Sequence, residues 1–242
     1  MQSGSKPAGS KLGRIAALDA ARTLALVGMV IYHFNYDREL FGWSDPGTMF
    51  TMFWYWFARI VAGSFLVLAG ISLWLAHGRS IRWPAFWRRF LRVAGAAALV
   101  TVATYVVFPD RYVFWGILHA IAAYSLIGLA FLRLPWLVIL AAASVIAGIS
   151  YVGQAEVFNA PWALWLGLAT EGVLTVDYVP LFPWLAPFLC GIAFAKSGAI
   201  NVFAPLGPLP RWMVWPGQHS LAIYLIHQPL LIAGFIAVNR LL

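Results

Sequence analysis

The chain has 242 residues, of which 62% are hydrophobic and only 10% charged, and its mean hydropathy is +0.82. A soluble domain uses roughly 25% charged residues to coat its surface; 16 bases and eight acids cannot coat one of this length, so lipid must be the solvent for most of it. A net charge of +8 would suggest nucleic acid in a soluble protein, but the placement of the bases described below accounts for it without a nucleic-acid partner.

Residues 1–13 (MQSGSKPAGSKLG) are polar, basic and rich in Gly and Ser, which predicts a disordered cytoplasmic tail. The apolar stretch after Arg14 carries Asp19 and Arg22 and has no small-residue cleavage site, which argues against a removable signal peptide. From residue 14 to 242 the sequence reads as a single transmembrane domain without internal repeats.

Seven apolar stretches approach the roughly 20 residues needed to cross a bilayer. They are Ala16–Tyr36, Met49–Ala76, Phe86–Phe108, Val113–Leu132, Trp136–Val152, Pro180–Lys196 and Ser220–Val238. The expected fold is an all-α polytopic bundle of about seven spans. Pro180, Pro183 and Pro187 interrupt the sixth span and Pro229 the seventh, which membrane helices tolerate where neighbours satisfy the freed backbone groups. Between spans five and six, Asn159–Thr175 (NAPWALWLGLATEGVLT) is too short and too broken to cross, and predicts a Trp-rich interfacial or re-entrant cap on the outer side.

The bases orient this bundle. With the N-terminus inside, 12 of the 16 fall on the inner side, among them Arg79, Arg82, Arg88, Arg89, Arg92, Arg133, Lys196 and Arg211. Seven of the eight acids fall outside, leaving Asp19. The expected location is the inner, cytoplasmic membrane of a bacterium. The single cysteine, Cys190, lies in an apolar run and excludes a disulfide framework; no metal-binding motif occurs.

Ionisable groups at membrane depth are rare and mark candidate functional sites. His33 lies near the outer end of span one and His119 about two turns into span four from the outer side, so one outward-facing pocket would hold both. Asn35, Tyr36 and Asp37 follow His33 and are placed to orient its ring. A neutral imidazole suits proton abstraction from a hydroxyl or amine; a histidine bonded between helices as structural glue is the alternative. His227 and Gln228 precede Pro229, and a kinked helix carrying them would line a cavity or simply pack against the bundle. Arg59, well inside span two, is expected to face a polar cavity. Arg22 and Asp19, three residues apart, share a helix face. The inner loop HGRSIRWPAFWRRFLR gathers Arg79, Arg82, Arg88, Arg89 and Arg92, which suits either the phosphates of a nucleotide-bearing cofactor or anionic lipid. Walker, GxSxG, HExxH and GxGxxG motifs are absent.

Span one, RIAALDAARTLALVGMVIYHFNYD, resembles the opening of the membrane acyltransferase superfamily, and Arg22 and His33 have the ten-residue gap of the Arg-x10-His signature of acyltransferase-3 proteins. The segments SFLVLAGISLWLAHG, WGILHAIAAYSL, DYVPLFPWLAPFLCGIAFA and HSLAIYLIHQPLL resemble the bacterial membrane proteins grouped as DUF1624, which are similar to the catalytic domain of heparan-alpha-glucosaminide N-acetyltransferase. The resemblance runs from Arg14 to Leu231. It implies transfer of an acyl group, acetyl above all, from cytoplasmic acetyl-CoA or another acyl-CoA to a sugar, lipid or other acceptor at the outer face. It further implies that Arg22, Arg79, Arg82, Arg88 and Arg89 hold the donor, that His33 and His119 are catalytic, with His33 the base or transient acyl carrier, and that no metal is used. The chain departs from the eukaryotic lysosomal enzymes, which carry Asn where His33 aligns and place their proposed histidine in the loop after span one; Asp37–Thr48 here holds none. Two other readings stand beside this one: a non-catalytic assembly partner or lipid transporter, within a homo- or hetero-oligomer, and a haem- or pigment-linked subunit using His33, His119 or His227 as ligands.

Overall fold

A computed structural model describes residues 16–203 and 209–241 of the chain. The expected tail at residues 1–13 lies outside the described residues, as do Lys6, Lys11 and Arg14. The described residues form eight α-helices: α1 (Ala16–Leu40), α2 (Met52–His77), α3 (Trp83–Val107), α4 (Ile117–Phe131), α5 (Trp136–Val152), α6 (Leu181–Lys196), α7 (Arg211–Gln218) and α8 (Ser220–Asn239). Four of them, α1, α2, α3 and α8, are long and apolar enough to cross a membrane. The other apolar helices, α4, α5 and α6, have 15, 17 and 16 residues.

Each long helix has two faces. On α1, Leu24, Val27, Ile31 and Phe34 are exposed, whereas Leu26, Met29 and Asp37 are buried and share their face with Arg22 and His33. That second series runs 22, 26, 29, 33, 37, the helical spacing of one continuous stripe. On α8 the exposed residues are Ile226, Leu230, Ile236 and Val238, and the buried ones are His227 and Phe235. In lipid the outward face costs nothing to leave apolar, so the polar residues mark the face turned inward.

The core joins α2, α4, α5 and α6 through Leu66, Leu73, Tyr124, Ile139, Phe188, Leu189 and Ile192, all essentially inaccessible. Between lipid-bathed helices no hydrophobic drive operates, and close approach depends on small residues. Gly70 of α2 and Gly191 of α6 supply it reciprocally: a Cβ on Gly70 would strike the carbonyl of Phe188, and one on Gly191 the carbonyl of Val67. Helix α1 packs on α2, α7 and α8, while α3 packs on α4 and touches α8. A small cluster of Ala96, Ala97 and Leu118 with Leu221 and Tyr224 ties α3, α4 and α8 together.

The segment Asn159–Thr175 contains no α-helix: it begins at the end of a 3₁₀ turn, Glu156–Asn159, and holds a second at Leu164–Leu166. Its fold is fixed by Asn159, whose Oδ1 accepts from Thr170 N at 2.9 Å. Beyond it, residues 175–179 run beside 111–115: Val176 N donates to Arg111 O and Val179 N to Trp115 O, each at 3.0 Å, and Thr175 Oγ1 donates to Tyr112 O at 2.7 Å.

Candidate active site

His33 and His227 meet edge to face between α1 and α8, ring centroids 4.9 Å apart. His227 Nδ1 lies 2.6 Å from Tyr224 O. A carbonyl only accepts, so Nδ1 carries the proton and Nε2 the lone pair. That Nε2 is buried without a hydrogen-bond partner, and so is His33 Nδ1. Unpaired buried polar atoms are costly and rare. Two of them on touching imidazoles mark this seam as a place of chemistry.

One turn beyond His33 on the same face, Asp37 is fully buried and accepts from Gln228 Nε2 at 2.8 Å. Its Oδ2 and the Oε1 of Gln228 are buried and unpaired as well. Helix α1 is therefore longer than expected: Asp37, anticipated at the start of a loop, is a helical residue. Asn35 turns along its own helix, bonding Ile31 O at 2.8 Å and receiving Arg38 at 3.1 Å, rather than towards the His33 ring.

Asp177 reaches the same region from the loop before α6. One oxygen accepts from Ile117 N at 3.0 Å, in the first turn of α4, where free N–H groups favour an anion. The hydroxyl of Tyr224 donates to it too. A Cβ on Gly116 would collide with this carboxylate, so glycine is required there. Burial pushes the Asp177 carboxyl up to about 6, against the two donors that lower it. The neighbouring Tyr178 hydroxyl, half-buried and bonded to Leu164 O, is pushed up by desolvation to about 12.

His119 has both nitrogens engaged. Nδ1 accepts from Gly116 N at 3.3 Å, so Nε2 carries the proton, and it lies 3.1 Å from Thr101 Oγ1, whose own proton goes to Val113 O. The ring stacks on Trp115 at 6.0 Å. The ring partner of His33 is thus His227, and His119 joins the pair only through the series Gly116, Asp177, Tyr224.

At the opposite end of α1, Arg22 pairs with the buried Asp19 and donates to Ser72 Oγ of α2 at 2.6 Å. Gln218 of α7 adds a 3.3 Å bond to Asp19, and Gly217 N donates to Thr23 Oγ1 at 2.9 Å. Arg89 of α3 lies within electrostatic range of Arg22 and, with Ser125 of α4, lines a narrow cavity against Leu73 and Phe86. Arg79, Arg82 and Arg88 are exposed, and Arg82 Nε caps α2 at Ala76 O. Arg59 is exposed on α2, its guanidinium 3.4 Å from the centroid of the Tyr55 ring. Arg22 and His33 are eleven positions apart, roughly 16 Å along the helix.

Sequence reasoning did not single out Asp177 and Tyr224 as site residues, and gave Asp37 only a role beside the His33 ring. Asp37 carried a signal, since it follows His33 by four residues and helical spacing would have aligned them. Asp177 and Tyr224 carried none, because their union depends on a loop 47 positions upstream in the chain meeting α8.

The fold and this seam define an integral membrane protein of α-helices with two buried polar tiers, one of arginine and one of histidine. Residues 14–229 match the family described as heparan-alpha-glucosaminide N-acetyltransferase, catalytic, and the chain belongs to that family of membrane acetyltransferases. No curated protein and no solved structure gives a match.

Proposed function

We propose that this chain transfers an acetyl group from cytoplasmic acetyl-CoA to an acceptor at the outer face of a bacterial inner membrane. The observation that carries the proposal is the contact of His33 with His227, with His227 Nε2 buried, unpaired and bearing its lone pair. In this reading all seven apolar helices cross the bilayer with the N-terminus inside. The 15 to 17 residues of α4, α5 and α6 span roughly 22–26 Å, short of the ~30 Å core, and their flanking segments make up the difference.

Arg22 and Arg89 form the buried part of the donor site, with the exposed Arg79, Arg82 and Arg88 gathering the phosphates at the inner surface. The pantetheine arm runs along the inward face of α1, past Leu26 and Met29, towards His33. The acceptor hydroxyl or amine attacks the thioester carbonyl while the histidine pair takes its proton. The tetrahedral intermediate collapses with cleavage of the carbon–sulfur bond, and the thiolate recovers that proton from the imidazolium, leaving free CoA and acetylated acceptor. His119, bonded through both nitrogens, holds the start of α4 at Gly116 against Thr101 rather than exchanging protons.

The test is acetyl-CoA binding by calorimetry on purified protein, together with acetyl transfer measured for His33→Ala and His227→Ala. The expected result is donor binding within a few-fold of the unaltered protein and transfer reduced at least roughly 100-fold in both variants. Absence of donor binding, or transfer indifferent to both substitutions, would overturn it.

A further inference from the structure

Helix α8 is weakest where it carries its chemistry. Pro229 has no N–H, so the carbonyl of Leu225 loses its helical partner, and the turn 225–229 that bears His227 and Gln228 is free to bend. Beyond it, α8 meets α1 and the turn after it through apolar rings and one exposed bond: Phe34, Phe41 and Trp43 surround Phe235 at 5.0–5.4 Å, and Trp43 Nε1 donates to Asn239 Oδ1. Ring packing of this kind holds distance but permits rotation about the helix axis. Within the softened turn, one directional bond crosses to α1, from Gln228 Nε2 to Asp37 Oδ1 at 2.8 Å. Asp37 stands one turn from His33, and Gln228 is next to His227, so this bond fixes the rotation of both helices where the imidazoles meet.

We infer that Asp37 and Gln228 are positioning residues whose hydrogen bond sets His227 against His33. The inference rests on the histidine pair being the proton acceptor, and it concerns residues that do not themselves touch the reacting atoms. Asp37 is fully buried and Gln228 is neutral, so the interaction is a directional bond in a protein interior, where geometry counts for more than charge. A displacement of the reacting groups by about 1 Å costs on the order of 100-fold in rate.

The experiment uses the full chain in detergent and reads two quantities. The first is kcat and KM for acetyl transfer in Asp37→Ala, Gln228→Glu and the reciprocal double variant Asp37→Asn with Gln228→Glu. The single variants should lower kcat on the order of 100-fold with donor KM within about threefold, because the arginine tier lies some 16 Å away. In the double variant the amide and carboxylate have changed places, and kcat should recover at least tenfold over Gln228→Glu. The second readout needs no activity: His33→Cys with His227→Cys, in a Cys190→Ala background, is treated with a short bifunctional thiol reagent. Cross-linking should be efficient with Asp37 present and fall at least fivefold when Asp37→Ala is added, at unchanged melting temperature. Cross-linking indifferent to Asp37, or a double variant no better than Gln228→Glu, would overturn the inference. If wild-type protein transfers no acetyl group while the cross-link still depends on Asp37, the functional reading fails and the positioning role stands.

Discussion

Replacing Gly191 by alanine tests whether the bundle is assembled as described. The added Cβ would overlap the carbonyl oxygen of Val67, and on the facing helix the same change at Gly70 would overlap that of Phe188, each contact far inside the 3.0 Å that real Cβ atoms respect. Both obstacles are backbone atoms and cannot rotate aside. Relief requires α2 and α6 to part by about 1 Å, which loosens the contacts of Leu66, Leu73, Phe188, Leu189 and Ile192 and costs about 1–3 kcal/mol. For a protein of this length that corresponds to a fall of roughly 3–10 °C in Tm. Gly95 and Gly148 are internal controls: both are helical, and a Cβ at either meets nothing within 4 Å. Alanine there should leave Tm unchanged or raise it slightly through helix propensity. The assay is thermal unfolding in one detergent, followed by size-exclusion chromatography of heated samples. Gly191→Ala melting with the unaltered protein, or Gly148→Ala losing as much as Gly191→Ala, would refute this packing.

Asp177 gives a pH-dependent prediction. Its folded carboxyl is raised from 3.8 to about 6, so its contribution to stability is full below the unfolded value, declines as pH climbs between the two, and is lost above about 6. Asp177→Asn keeps an acceptor for Ile117 N without the charge, so its Tm should exceed that of the unaltered protein at pH 7.5, and the gap should close by pH 4; a gap constant with pH would count against burial as the cause. Tyr124 is fully buried and donates to Pro180 O at 2.7 Å and Val179 O at 3.1 Å, so Tyr124→Phe should cost about 1–3 kcal/mol, read as a lower Tm. Gly217→Ala would drive a Cβ into the carbonyl of Asp19 and lift α7 from α1, breaking the bond to Thr23; Tm should fall, and acetyl-CoA binding measured by calorimetry should weaken as the Asp19–Arg22 pair loses Gln218.

The helices were legible because each is a long apolar run, and α5 was read to the residue at Trp136–Val152. Helix α7 was not legible: Arg211, Pro216 and Gly217 bound an apolar run of four residues, Trp212–Trp215, too short to signal a helix, and only contact with Thr23 and Asp19 shows what it packs against. The apolar run of α1 ends at Tyr36, yet the helix continues to Leu40, and Glu39 then bonds the backbone of Gly47 and Met49 to close the turn. Periodicity reveals which face of a helix turns inward, so Arg22, His33 and His227 stood out as inward candidates. It does not reveal which helices are neighbours. His33 and His119 enter from the same side, but α8 is the helix that lies against α1 at that depth, and the ring facing His33 therefore comes from residue 227.

The two polar tiers of α1 are built on opposite electrostatic terms, and this divides stability from chemistry along a single helix. Near the start of α1 Arg22 is matched by a buried carboxylate and a serine, and removing one partner exposes the other to the cost of burial. Towards the end of α1 the groups facing one another are two imidazoles, an amide and a carboxylate, with four of their polar atoms buried and unbonded. An unbonded lone pair weakens the fold, and it is also what a base must have before it can accept a proton. The protein compensates by anchoring that tier from outside: the Asp177 loop holds Tyr224, the Asp37–Gln228 bond holds the seam, and the Gly70–Gly191 contact holds α2 and α6 together. Apart from the His227 Nδ1 bond to Tyr224 O, the strong contacts therefore sit around the histidines, which leaves His33 Nδ1 and His227 Nε2 unpaired while the rings stay fixed.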